Sequence, residues 1–282
     1  MMKDFSSVLG TSKDKLSELI GVFKTLYDGN YNRAIGTDGG RKLAWKGKVM
    51  MLSACTNSID DYHTMMAQMG ERWVYFRYPE SEGWQEALQA MRNREYDDGK
   101  ESLSDIVKAF FDGQGIAFGP EGDESRGARA LKYGEEARLI AMAGFLARSR
   151  GVVRRDDRTR EIISLPTREM PARLAVIFQY MYLGMELIGM DDARERWKVI
   201  GKAVMDSMPL IRRRVIGIVE QRSGKGGATY KQIQDELVVS DSLVRRTVED
   251  LESLGVLEVN KLFKHSVWLT PEAGKMRAEG WV

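Results

Sequence analysis

The sequence predicts a mainly α-helical protein with a partial α/β part at its N-terminus, built on a parallel sheet, and a C-terminal unit of helices and two short strands. Three observations carry this. Residues 84–208 repeat apolar positions at helical spacing and do not alternate as a strand would. Before residue 84, two short apolar runs enclose a helical pattern, the order of a parallel strand–helix–strand unit. After residue 209, Pro, Ser and Gly fall at the starts and stops of short helices. The 282 residues suffice for three parts, 1–83, 84–208 and 209–282.

The elements follow in order. From Ser12 to Asp28, Leu16, Leu19, Ile20, Val22, Phe23 and Leu26 recur at helical spacing, with Ser12 as N-cap and Gly29 past the end. A loop rich in Gly, Asn and Asp, "DGNYNRAIGTDGGRK", leads to Val49–Leu52, which reads as a buried strand carrying Cys55 as a small core residue. "SIDDYHTMMAQMG" reads as a helix ending at Gly70, with His63 on its surface rather than acting as a base. "RWVYFRYP" reads as a second strand closed by Pro79. Helices are expected over 84–94, 102–113, 131–149, 169–188 and 192–206. They are interrupted by the glycine-rich "GQGIAFGPEGDESRG" and by the charged "RRDDRTREIISLPTRE", read as a solvated hairpin or loop in preference to a binding site, with a DNA-touching hairpin as the other reading.

Charge and composition exclude several functions. Forty-three basic residues oppose 41 acidic ones, so a nucleic-acid surface, if present, has to be local. A single cysteine with two distant histidines, His63 and His265, argues against a zinc cage. No apolar run is long enough to span a bilayer and the N-terminus lacks a signal-peptide pattern, so a cytoplasmic protein is expected, with no membrane contact.

The C-terminal part is the most explicit. Pro209 opens "PLIRRRVIGIVEQR", "TYKQIQDEL" follows the "SGKGG" loop, and "DSLVRRTVEDLESL" is capped by Ser240 and stopped by Gly255. Strands "VLEV" and "SVWLT" then enclose "NKLFKH", and Thr270 with Pro271 opens a last helix. This is the order of a winged helix-turn-helix, whose second motif helix enters the major groove of double-stranded DNA. Ser240, Ser242, Arg245 and Arg246 are then the groove-facing candidates near Asp241, while Leu243, Val244, Val248 and Leu251 face the core. Lys261 and Lys264, flanking Phe263, are phosphate-contact candidates on the wing. From Pro209 onward 12 basic residues face 10 acidic ones, so any DNA contact is confined to this helix and wing.

The first region carries a family resemblance. "KDFSSVLG…LSELIGVFKTLYDG" resembles the Walker B end and following helix of an AAA+ ATPase, and "KVMMLSACTNSIDDYHTMMAQMGERWVYFRYP" resembles its sensor-1 strand, helix and arginine-finger segment. "EMPARLAVIFQYM" is similar to the sensor-2 helix of the helical lid in minichromosome-maintenance-type members, making 84–208 a lid domain. The resemblance implies ATP with Mg2+ as cofactors, Asp4 as magnesium ligand, and Asn57 or neighbouring Thr56 orienting the attacking water. It further implies Arg72 as an arginine finger, Arg173 on the γ-phosphate, with Arg126 or Arg129 as competing candidates, and a homo-oligomer or ring.

The sequence also departs from that pattern. It holds no G-x-x-x-x-G-K-[ST] string; "RSGKGGATYK" has the wrong spacing, and position 5 is Phe where a catalytic Glu is expected. The abrupt start at "MMKDF" therefore reads as a cut through an ATPase core, and this polypeptide alone is expected neither to bind ATP tightly nor to hydrolyse it. The leading expectation is the C-terminal part of a DNA-associated, replication- or helicase-type AAA+-like ATPase, active only if the P-loop part is supplied. The alternative is a stand-alone winged-helix regulator of transcription or replication with a helical partner-binding domain.

Overall fold

The computed structural model describes residues 4–35, 41–47, 49–67, 72–78, 83–92, 96–113, 129–260 and 266–281. The chain opens with a short helix α1 (Ser6–Leu9) and the amphipathic α2 (Lys13–Tyr27), followed by strands β1 (Asn30–Ile35) and β2 (Arg41–Lys46). A 3-10 turn, Asn57–Tyr62, runs into α3 (His63–Met66). Phe5, Leu9, Leu16, Ile20, Ile59 and Met66 form a small core of their own, with Trp73 and Tyr75 packed against it. Ser12 stands at the N-cap of α2 as expected, though its side chain makes no capping bond.

Several expectations for this part are corrected. Both sheets among the described residues are antiparallel, so the parallel α/β unit is not formed there. The apolar run 49–52 is not a strand: Met50 and Leu52 are exposed, and the nearby Ala54 carbonyl accepts from the amide of Phe5, in the turn ahead of α1. Cys55 is accordingly exposed rather than buried in a sheet. The segment 73–78 is extended but pairs with no strand among the described residues; its amides at Tyr75 and Arg77 donate to the side chains of Ser207 and Asp206. Conversely, the supposed loop at 28–42 supplies β1 and the start of β2, which pair antiparallel with Tyr31 opposite Trp45 and Arg33 opposite Leu43.

The middle of the chain is helical as expected: α4 (Trp84–Arg92), α5 (Tyr96–Gly113), α6 (Tyr133–Ser149), α7 (Ala172–Leu187) and α8 (Ala193–Asp206). Helix α6 begins where Glu135 reaches back to the Lys132 amide, and α8 where Asp192 accepts from the Arg194 amide. Met142, Ala143, Phe145 and Leu146 are completely buried, and α7, α8 and α12 pack against α6. Between α6 and α7 the chain forms a narrow hairpin. Val152 and Thr167 exchange both backbone hydrogen bonds, and Asp156 donates to the Glu161 carbonyl.

The C-terminal elements are α9 (Leu210–Arg222), β3 (Ala228–Thr229), α10 (Tyr230–Leu237), α11 (Asp241–Ser253), β4 (Leu257–Asn260), β5 (Ser266–Leu269) and α12 (Pro271–Trp281). The strands form one antiparallel sheet in the order β3-β5-β4, with Val267 opposite both Ala228 and Val259. Thr229 and Gln232 close a reciprocal capping box at α10, Ser240 caps α11, and Gly255 with φ +71° ends it. Val244, Val248 and Leu251 are buried as expected, but Leu243 is only half-buried and Thr247 is buried instead.

One apolar core joins these elements to the helical middle. It runs from Leu139 through Phe178, Ile200 and Met208 to Val215, Leu251 and Ala273 without a break at the expected boundary near 208. Helix α12 lies along α6, where Met276 meets Gly144 and the Arg138 Nε donates to the Gly280 carbonyl at 2.8 Å.

Candidate nucleic-acid interface

Helix α11 presents one polar stripe to solvent. Ser242, Arg245, Glu249 and Glu252 are exposed along it, opposite the buried Val244, Val248 and Leu251. Its start is fixed by Ser240, whose Oγ accepts from the Leu243 amide at 3.3 Å and lies 3.1 Å from the Ser242 hydroxyl. Arg245 bonds Asp241 one turn back at 2.6 Å, and its guanidinium lies 5.1 Å from the ring centre of Tyr230 on α10. Burial, reinforced by the nearby Glu252 and Glu249, pushes the Tyr230 hydroxyl pKa up, so the ring is a neutral platform. Arg246 turns back to the Ser242 carbonyl at 3.0 Å. Ser240, Ser242, Arg245 and Arg246 thus share the N-terminal half of one helix. Lys261 and Lys264 lie outside the described residues.

The electrostatics of α11 are not those of a simple basic helix. It carries Asp241, Glu249, Asp250 and Glu252 against Arg245 and Arg246. Three of the four carboxylates are compensated by arginines. Asp241 is held by Arg245, Asp250 by Arg155 at 2.7 Å and by Arg212 at 3.4 Å, and Glu249 by Arg155 at 3.1 Å. Arg155, in the 152–167 hairpin, is the residue that sequence reasoning missed. Its guanidinium also bonds the carbonyls of Arg246 and Arg160, which ties the hairpin along the 246/250 flank of α11 and leaves the exposed stripe open. Only the run of charges there pointed to it.

The residues of the expected nucleotide site fall into separate contacts. Asp4 Oδ1 accepts from the Ser6 amide at 2.9 Å, and the Ser6 hydroxyl accepts from the Thr56 amide at 3.2 Å, so Asp4 and Thr56 are neighbours. Asn57 begins the 3-10 turn and its Oδ1 accepts from Arg77 at 3.3 Å. Arg72 makes a bidentate pair with Asp28 at 2.7 and 2.9 Å and lies over Tyr27. Arg173 is exposed in the first turn of α7, and Arg126 lies outside the described residues. Arg129 is committed to Glu135 and Glu186, both bidentate. Magnesium held with a nucleotide asks for one or two carboxylates facing a phosphate cradle. Asp4 Oδ1 accepts from the Ser6 amide at the start of α1, and its carbonyl accepts from the Ser7 hydroxyl; among the described residues no group of three His, Cys, Asp or Glu gathers.

His63, expected on a helix surface, is half-buried, and its Nε2 is buried with no hydrogen-bond partner among the described residues. Burial first, then the positive charge of Arg212, hold its pKa down at about 4. Among the described residues no helix is long and apolar enough to cross a membrane. The chain was compared with family models, curated proteins and solved structures, and it matches none of them.

Proposed function

We propose that this protein binds double-stranded DNA through a winged helix-turn-helix formed by residues 209–282, with α11 as the groove-entering helix. The observation that carries the reading is the exposed N-terminal half of α11, where Ser242 and Arg245 stand clear of the body beside Ser240 and Arg246. The order of α9, α10 and α11 followed by an antiparallel ribbon is the arrangement such a module requires. Arginine is suited to guanine edges and phosphates, and serine hydroxyls to either.

Of the two roles open to such a module, regulator or part of an ATPase, the contacts favour a DNA-binding protein that needs no nucleotide. Arg72 and Arg129 are both engaged with carboxylates, and Asp4 with a helix start. Titration of a labelled duplex at several salt concentrations tests the reading. Affinity should fall steeply with salt, and Arg245→Ala with Arg246→Ala should flatten that dependence by about two in log–log slope. Duplex binding that is absent, or untouched by the double substitution, sinks this assignment of α11. Separately, ATP turnover by the purified chain would overturn the nucleotide-free reading.

A further inference from the structure

The hairpin at 152–167 is built with more care than a solvated connection needs. The Asp156 carboxylate accepts from the amides of Arg158 and Thr159 at 2.8 and 2.7 Å, Arg160 takes a left-handed conformation with φ +63°, and its amide returns to the Asp156 carbonyl at 3.0 Å. These bonds fix a turn whose outward side chains include Arg158 and Arg160. At the base, Gly151 approaches so closely that an added Cβ would stand 2.5 Å from Leu254, just past the end of α11. Midway, Arg155 bonds Asp250, Glu249 and the Arg246 carbonyl. The arm is therefore seated along α11 from its centre to its C-terminus.

Charge says what such an arm meets. Residues 152–168 hold five arginines and three acidic residues, and no lysine. Arg154, Arg158 and Arg160 are exposed, while Arg155 is spent on the helix, where it compensates two carboxylates that would otherwise repel a phosphate backbone. A duplex lying on the Ser242/Arg245/Glu249 stripe has its phosphates flanked by this hairpin on the 246/250 side.

We propose that the 152–167 hairpin is a second DNA-contacting arm, with Arg158 and Arg160 on phosphates of the bound duplex and Arg155 as the residue that positions it against α11. This rests on the reading of α11 above. It enlarges the footprint from the C-terminal unit to a surface shared with the helical middle, and it assigns the arm to affinity and orientation rather than to base sequence.

The test is salt-dependent binding of a duplex of about 20 base pairs by the full chain. Arg158→Ala with Arg160→Ala should lower affinity and reduce the slope of log K against log salt by about two, while Arg158→Lys with Arg160→Lys keeps it. Arg155→Ala should weaken binding and make the 158/160 alanine pair nearly silent when combined, a non-additivity that simple loss of charge would not produce. If the 158/160 alanine variant, folded by circular dichroism, keeps the wild-type slope while the 245/246 variant loses it, the arm is overturned and α11 stands. If the wild-type chain binds no duplex, both fall together.

Discussion

Arg77 and Asp206 are joined twice across the chain: the Arg77 amide donates to Asp206 Oδ2 at 2.8 Å, and its Nε donates to the Asp206 carbonyl at 2.9 Å. The Asp206 side chain is 1% exposed and is also held by Lys202 and Arg213, while Arg77 reaches on to Asp60 at 2.6 Å. This cluster pins the extended segment 73–78, and with it the N-terminal core, to the end of α8. A buried carboxylate is tolerable only with that many donors around it.

Removal of the carboxylate should therefore undock one part from the other. Asp206→Ala leaves the Arg77 amide and Arg213 without this acceptor, while Lys202 keeps the Arg77 carbonyl at 2.6 Å, and Lys202 and Arg213 are each about a third exposed and can turn to water. A cost of about 2–3 kcal/mol is expected, below the full penalty for a broken buried pair. Limited proteolysis should show cleavage between residues 72 and 83 rising before the helical middle is attacked. Equal protection in variant and wild type would mean that the joint is held by apolar packing alone.

The acid side of the stability curve should be dominated first by His63. Its folded pKa, about 4, lies below the unfolded value near 6.5, so the native state resists protonation. The contribution is whole above pH 6.5 and is lost as pH falls from there toward 4, by about 3 kcal/mol at most. His63→Gln should flatten urea-unfolding free energy across that window. Glu135, held down at about 2 first by Arg129, keeps its contribution above pH 4.5 and loses it only toward pH 2. The two windows are separable, and a wild-type curve flat between pH 6.5 and 4.5 would refute the His63 assignment.

What was legible in the sequence is what local chemistry decides. Ser240 and Gly255 announce the ends of α11 from within a few residues, and they stand where the reading put them; the Thr229–Gln232 capping box at α10 carries the same kind of local signal and was not read. The segment 73–78 was misread because its amides find Asp206 and Ser207, partners 129 and 132 residues away, and no periodicity encodes that. The hairpin at 30–46 was overlooked although "TDGG" is a turn signal, since strands as polar as "NYNRAI" and "RKLAWK" lack the alternation that marks a buried face. The positions of Arg245 and Arg246 in the first turns of α11 were readable from their distance to a cap. Arg155 was not, because its role exists only through Asp250, 95 residues on.

Gly151 should be the most sensitive small residue at the hairpin base. A methyl there would lie 2.5 Å from Leu254 Cδ2 and 2.9 Å from the Thr167 carbonyl, and the second is backbone that cannot step aside. The same glycine's carbonyl accepts from Arg212 at 2.7 Å. Gly151→Ala is expected to cost about 2 kcal/mol through overpacking and to raise amide exchange at Val152 and Thr167. Unchanged exchange at those two amides would show that the site has room.

Val238 sits between α10 and α11 with φ +55° and ψ +45°, a left-handed conformation that crowds a β-branched side chain against its own backbone. The conformation is imposed by the turn, because its amide still returns to the Gln234 carbonyl at 2.9 Å and Ser240 must arrive at the cap of α11 two residues later. The side chain is 89% exposed, so it gains little from packing to offset the strain. Val238→Asn keeps a side chain that tolerates this region and should raise stability by about 1 kcal/mol, read as a higher urea midpoint at unchanged slope. Val238→Gly should gain less, since glycine also frees the unfolded chain. Neither change touches Ser242, Arg245 or Arg246, so duplex affinity should hold in both. A midpoint that falls in the Asn variant would mean that Val238 makes a contact worth more than its strained backbone costs.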